Sequence, residues 1–416
     1  MCFFLSPLPV PLLGCANTTE LLSFFPTKMA TSLEQWPPEL LESMVEYLPL
    51  DDMRNLRLCN KALATLVAQE SFTSKYSKKQ VDASREGLAS FVEMTKPGVL
   101  GGCVQDLTLT GIAVGTQHLA TITKDKFRWI TEGNGPMFSS TSQELNDDEL
   151  LEAQQDLQRL KELKTNLYEF HDSGEDVEML TQVFEALAAY GRYGTLRSLT
   201  LEVVVLSESA TLRQQPIESG NCKIDVWRAG EAIFRLTVEA LSRSGLQLDR
   251  LNVMTDQQHC SLSWSALDCI TQCSSDRLSR SLASLGSLQL SLAESRDDGS
   301  EVSETGAPVQ DQSTQSPAVI AARTEEEEHD FGCLARVLSE CSQLKSLHLH
   351  WFNVIGASEK RRTESASSCL LRQIAKTDRC PALHKLTLRG VYADAPTLLS
   401  FISSSPIKQL RLEEVS

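Results

Sequence analysis

The sequence predicts an α/β chain. A small helical module near the N-terminus precedes an irregular solenoid with a parallel sheet on one face and helices on the other. Three observations predict it. A strand pattern, L-x-x-L-x-L, recurs seven times between Val104 and the end of the chain. Amphipathic helical stretches fall between most copies, and strand then helix, repeated, buries each unit's leucines only against its neighbours. Residues 36–66 read as three short helices broken by proline, too small to bury a core of their own.

Length and composition set the frame. A chain of 416 residues implies two or three domains or one elongated array. The formal net charge of −16 argues against a nucleic-acid binder that tracks phosphates, and against docking on an anionic membrane. More than half of that excess lies in 294–330, which holds eleven Asp or Glu and two Arg. The twelve cysteines are scattered without a C-x-x-C pair, the closest being Cys269 and Cys273. They read as buried free thiols of a reducing compartment, so the expected location is cytoplasmic or nuclear. No apolar run reaches the roughly 18 residues of a spanning helix.

In chain order, residues 1–32 are expected to be an extension or a disordered segment. They are apolar but interrupted by Pro7, Pro9 and Pro11, carry no positive charge ahead of the apolar part, and precede a natural start at Met29. In 36–66, Pro37 and Pro38 stand where a helix begins. Leu40, Leu41, Met44, Val45 and Leu48 follow on one helical face, and Pro49 stops it. Asp51 or Asp52 caps a second helix carrying Met53, Leu56 and Arg57, and a third carries Leu63 and Leu66.

This stretch, WPPELLESMVEYLPLDDMRNLRLCNK, resembles the F-box, in register without gaps through Cys59. Trp36, Met44, Val45, Met53 and Leu58 are conservative departures from the family pattern, and Asn60 displaces Lys61 by one place. The resemblance implies an F-box over residues 33–80 that binds the Skp-type adaptor, and through it a cullin. It implies that Trp36, Pro37, Leu40, Leu41, Met44, Val45, Leu48, Leu56 and Leu58 supply adaptor contacts or the packing beneath them. The segment 72–109 looks like the linker that follows the F-box in fungal members.

Residues 81–416 are read as the repeat region. The seven copies are VQDLTL, LRSLTL, LDRLNV, LGSLQL, LKSLHL, LHKLTL and IKQLRL, beginning at Val104, Leu196, Leu248, Leu285, Leu344, Leu383 and Ile407. Their separations of 92, 52, 37, 59, 39 and 24 residues show no fixed period. Helical stripes are expected at 149–170, 177–190, 224–243, 331–341, 366–376 and 395–403, the last starting at Asp394 with Pro396 just after it. The acidic, Ser- and Pro-containing 294–330 is expected to be a disordered insertion.

The motif resembles the strand of leucine-rich repeats. The ninth positions Ile112, Val204, Asp256, Ala293, Phe352, Val391 and Val415 lack the family's Asn or Cys, which implies an irregular array. If the fourth and sixth positions point inward, the third, fifth and seventh line an open sheet face. Its C-terminal part would be locally basic, with His348, His350, Lys385, Arg389 and Arg411 the candidate contacts to a protein target.

No catalytic motif is present: no G-x-S-x-G, phosphate loop, dinucleotide fingerprint or H-E-x-x-H. His348 and His350 share a strand face, but no Cys or acidic partner stands at metal-ligand spacing. The expectation is a non-catalytic receptor subunit of a ubiquitin ligase, without cofactor or metal, binding the adaptor and an unknown protein target, not nucleic acid or membrane. Two alternatives stand: an F-box scaffold that acts without ubiquitylation, and a repeat scaffold whose front helices merely cap the array.

Overall fold

A ten-stranded, mostly parallel sheet dominates the structure, a computed structural model of the chain. The structure describes residues 37, 40, 44, 50–59, 61, 76–97, 100–132, 139–191, 194–207, 213–214, 223–257, 260–273, 276–293, 332–352, 371–374 and 383–415. The chain divides into two compact units, Met1–Lys75 and Tyr76–Ser416. In the first unit one helix is described in full, α1 (Leu50–Cys59).

The second unit runs as follows. Strand β1 (Lys78–Asp82) and helix α2 (Arg85–Thr95) lead to β2 (Asp106–Val114), α3 (Gln117–Asp125) and a hairpin, β3 (Phe127–Glu132) and β4 (Ser139–Glu144). Then come α4 (Asp147–Asp172), α5 (Glu175–Tyr190), β5 (Thr195–Leu196), β6 (Ser198–Leu206), β7 (Arg213–Gln214) and α6 (Lys223–Ser244). Next are β8 (Gln247–Leu248), β9 (Arg250–Val253), β10 (Leu262–Ser263), α7 (Asp268–Gln272), α8 (Asp276–Ala283) and β11 (Ser287–Ala293). Helix α9 (Gly332–Glu340), β12 (Ser346–Trp351), β13 (Lys385–Arg389), α10 (Ala395–Ser404) and β14 (Gln409–Glu413) complete it.

The main sheet has the order β1-β2-β6-β9-β11-β12-β13-β14, and every pairing along this path is parallel. The strands therefore lie in chain order. The seven L-x-x-L-x-L copies align in one register. Leu107, Leu199, Leu251, Leu288, Leu347, Leu386 and Leu410 form one transverse row. Leu109, Leu201, Val253, Leu290, Leu349, Leu388 and Leu412 form a second. Both rows are buried as far as β13. On β14, Leu410 and Leu412 are each 44% exposed, unlike the inward leucines of every earlier copy.

The helices cover the leucine side. Phe234, Val238 and Leu241 of α6, Leu278 and Leu282 of α8, and Val337 of α9 meet Leu251, Leu288 and Leu290. Close approach is built in with glycine. A Cβ on Gly111 of β2 would lie 3.0 Å from the Ala229 carbonyl of α6, and one on Gly230 would lie 2.9 Å from Cε of Met254. A second, smaller core joins Val114, Leu119, Ile122, Ala153, Leu157, Leu160, Leu167 and Leu206 under α3 and α4.

Local chemistry sets the helix ends. Asn146 accepts from the Glu149 N–H at 2.8 Å, and the Glu149 carboxylate accepts from the Asn146 N–H at 3.0 Å, a capping box that starts α4. Asp147, Asp148 and Glu149 add charge that suits the helix N-terminus. Gly174, at φ 72°, links α4 to α5 in a conformation glycine adopts without strain. Asp394 caps α10, accepting from the Thr397 N–H and hydroxyl at 2.8 Å each.

Five of the six expected helices are present within two residues at each end. Of 366–376, residues 371–374 are helical and the remainder lies outside the described residues. The expected insertion 294–330 and residues 1–32 also lie outside them. Sequence reading missed α2's full extent, α3, the β3–β4 hairpin and β1.

Candidate protein-interaction surfaces

Two surfaces carry the expected binding residues. On the N-terminal unit, Pro37 is exposed, and Leu40 and Leu58 are 57% and 85% exposed. Leu58 lies on α1, with Leu56 part-buried two residues before it and Met44 part-buried ahead of the helix. An aliphatic side chain this open to water adds free energy when a partner covers it, about 1.5–3 kcal/mol for complete burial. Trp36, Leu41, Val45 and Leu48 lie outside the described residues.

The second surface is the sheet face opposite the helices. Its central row runs Gln80, Thr108, Thr200, Asn252, Gln289, His348, Thr387 and Arg411, directly opposite one another on successive strands. A flanking row places Arg250, Ser287, Ser346, Lys385 and Gln409 side by side. The other flank places Ser291, His350, Arg389 and Glu413 together. The register thus brings all five candidate target contacts onto three neighbouring strands. Lys385 and Arg411 are exposed, and His348, His350 and Arg389 are partly buried.

The face is less open than alternation implies. Thr110, Ser291 and Thr387 are buried. Met254, expected on this face, turns to the helical side instead. Strand β9 ends at Val253, and Met254 adopts a φ of 58°, which sends its side chain against Gly230 of α6. Between Leu201, where the pairing of β6 with β9 ends, and Val205, where its pairing with β7 begins, Gln257 stands in place of a strand. Its Oε1 accepts from the Val203 N–H at 2.7 Å and its Nε2 donates to the Val203 carbonyl at 2.9 Å. Asn252 is tied into the same turn, donating to Asp256 at 3.0 Å and accepting from the Thr255 hydroxyl at 2.6 Å.

Partial burial sets the charge of this face. Burial, then the neighbouring Asp256 carboxylate, raises Glu202 above the usual carboxylate range. His348 is pushed down, chiefly by burial, with Arg389 and Arg411 acting in the same direction against Asp256 and Glu413. His350 falls to about 4 through burial, then Arg389 and His348. Both imidazoles are therefore neutral near pH 7, and the positive charge of the C-terminal end comes from Lys385, Arg389 and Arg411. His350 Nδ1 lies 3.0 Å from Ser291 Oγ, itself 2.7 Å from the buried Ser261 Oγ. Glu413 contacts both Arg411 and Arg389, the latter at 3.9 Å. Lys385 makes no ion pair among the described residues.

A shallow hollow of about 420 Å³ opens beside the flanking row, lined by Arg250, Ser287, Gln289, Lys345, Ser346 and Lys385 with Asp249. Donors outnumber acceptors there, so the surface suits an acidic or carbonyl-rich segment.

Among the described residues no group of three or more His, Cys, Asp and Glu could hold a metal ion, and no helix is long and apolar enough to cross a membrane. Burial pushes the thiols of Cys269 and Cys341 up to about 12, with smaller contributions from Cys273 and Glu340 respectively. These cysteines are protonated and poor nucleophiles. No protein-family model matches the chain, and no curated protein matches it.

Proposed function

We propose that this chain is a substrate-recognition subunit of a Skp–cullin–F-box ubiquitin ligase. Its N-terminal unit binds the Skp-type adaptor, and its sheet face binds a protein target. The observation that carries the reading is the exposure of Leu40 and Leu58, two apolar positions of the F-box-like stretch, in a unit separate from the sheet. Seven in-register strand motifs on the other unit support an irregular leucine-rich-repeat-type scaffold that presents one continuous polar face. The chain does no chemistry in this reading. It raises the local concentration of its target beside the transfer machinery, a positioning role.

The test is co-purification with a purified Skp-type adaptor, comparing the intact protein with Leu40→Ala/Leu58→Ala and with Lys385→Glu/Arg411→Glu. The intact protein and the charge variant are expected to retain the adaptor, and the leucine variant to lose it. In cells, the charge variant is expected to lose a target that the intact protein captures and destabilises. Failure of the intact protein to hold the adaptor refutes the reading.

A further inference from the structure

The helical side of the second unit contains a cavity that the reading above does not use. It has a volume of about 350 Å³ and lies between the last turns of α4, the start of α5, the stretch of α6 from Asp225 to Glu239 and the C-terminal end of β2. Its floor is apolar, formed by Ala113, Val114, Leu167 and Ile233. It is as large as the smaller ligand pockets of known proteins, and it combines apolar walls with a rim rich in charged side chains.

The charges around its mouth do not cancel pairwise. Lys164 is held by Asp225 at 2.7 Å, and Glu239 by Arg243 at 2.5 Å. The buried Asp176 carboxylate is occupied twice, by Nδ1 of His171 at 2.6 Å and by the Val177 N–H at 2.7 Å. Glu231 is engaged as well. Arg228 and Arg235 are left. They stand seven residues apart on α6, so both lie on one face, about 10 Å apart along the axis. Neither makes an ion pair among the described residues, yet both line the cavity. Against them stands Asp172, exposed at the last position of α4. Tyr168, beneath the Lys164 ammonium at 6.0 Å, adds an aromatic edge at the rim.

We propose that this cavity binds a small organic carboxylate, with its apolar body on the Ala113–Leu167–Ile233 floor and its carboxylate paired with Arg228 and Arg235. A guanidinium offers a two-pronged donor set that fits a carboxylate. An uncharged ligand of the same shape leaves both arginines unpaired, and a cationic one meets them with like charge. The inference is independent of adaptor and target binding, which involve the other unit and the other face of the sheet.

Octanoate, octanol and octylamine are suitable probes, each titrated calorimetrically into the full-length protein and scored by the rise in thermal midpoint that a ligand of the folded state produces. Octanoate is expected to bind with unit stoichiometry and raise the midpoint, and the alcohol and amine to bind at least about tenfold more weakly. Arg228→Gln/Arg235→Gln is expected to abolish the preference for the carboxylate. Ala232→Phe, which fills the cavity, is expected to abolish binding of all three. Absence of octanoate binding overturns the proposal. So does equal binding of octanol or octylamine to the unaltered protein, a result that requires no variant to fold. So does undiminished octanoate binding by both variants with unchanged circular dichroism.

Discussion

At His350, burial and neighbouring charge act in the same direction. The imidazole sits on β12 between Ser291 and Arg389, edge-on to Phe352 at 6.2 Å, and its pKa falls from 6.5 to about 4. The folded protein therefore refuses a proton that the unfolded chain accepts. Stability from this residue is complete above about pH 6.5 and is lost as pH falls toward 4. Partial exposure screens the effect, so the expected loss is on the order of 1–2 kcal/mol. Replacing His350 with Gln is expected to flatten that part of the pH–stability curve, read as the difference between urea unfolding of the variant and of the parent at pH 7 and pH 4.5. Parallel curves for the two proteins refute it. The strand placement of His348 and His350 was legible in the sequence because alternation fixes it. Their neutrality was not, because it depends first on burial in the assembled sheet and then on charges such as Arg389 from a strand that follows in the chain.

Elements show the same division. Helix α4 announces itself in the sequence through the stripe from Leu150 to Phe170, and the structure buries Ala153, Leu157, Leu160, Leu167 and Phe170 along it. Its start is set by the Asn146–Glu149 capping box. Asn146→Ala is expected to destabilise the second unit by about 1 kcal/mol and Asn146→Asp to leave it nearly unchanged. Chemical denaturation followed by circular dichroism measures both, and equal stability of all three proteins excludes the cap as a contributor. The β3–β4 hairpin escaped sequence reading for a physical reason. Its second strand, SSTSQE, has no apolar alternation, and Trp129 opposite Ser142 and Ile130 opposite Thr141 are tied by backbone register rather than by a hydrophobic pattern. Strand β1 escaped because KKQVD offers one buried side chain, Val81, in five residues.

For the molecule as a whole, the division at Lys75 and Tyr76 separates two kinds of surface. Among the described residues, every member of the two hydrophobic clusters lies at Val81 or beyond. Removing residues 1–75 is therefore expected to leave the sheet unit folded, with its thermal midpoint changed by no more than a few degrees. Calorimetry of residues 76–416 beside the intact protein measures this, and loss of the cooperative transition counts against an independent sheet unit. The order of strands was implicit in the seven motifs, since each predicts a strand and neighbouring copies share a register. The bonding of the β6 backbone by Gln257 was not, because Gln257 and the turn after Val253 lie outside the repeated motif.

Because the eight strands from β1 to β14 join the sheet in the order in which they are synthesised, each can add to a finished edge as the chain emerges from the ribosome. No strand has to wait for, or thread between, a later one. The spacing between copies is then nearly free to vary. Lengthening a connection from 24 to 59 residues adds only about 0.8 kcal/mol of closure entropy. Vectorial assembly of this kind lets the sheet keep a strict register of leucines while the segments between them diverge in length and charge.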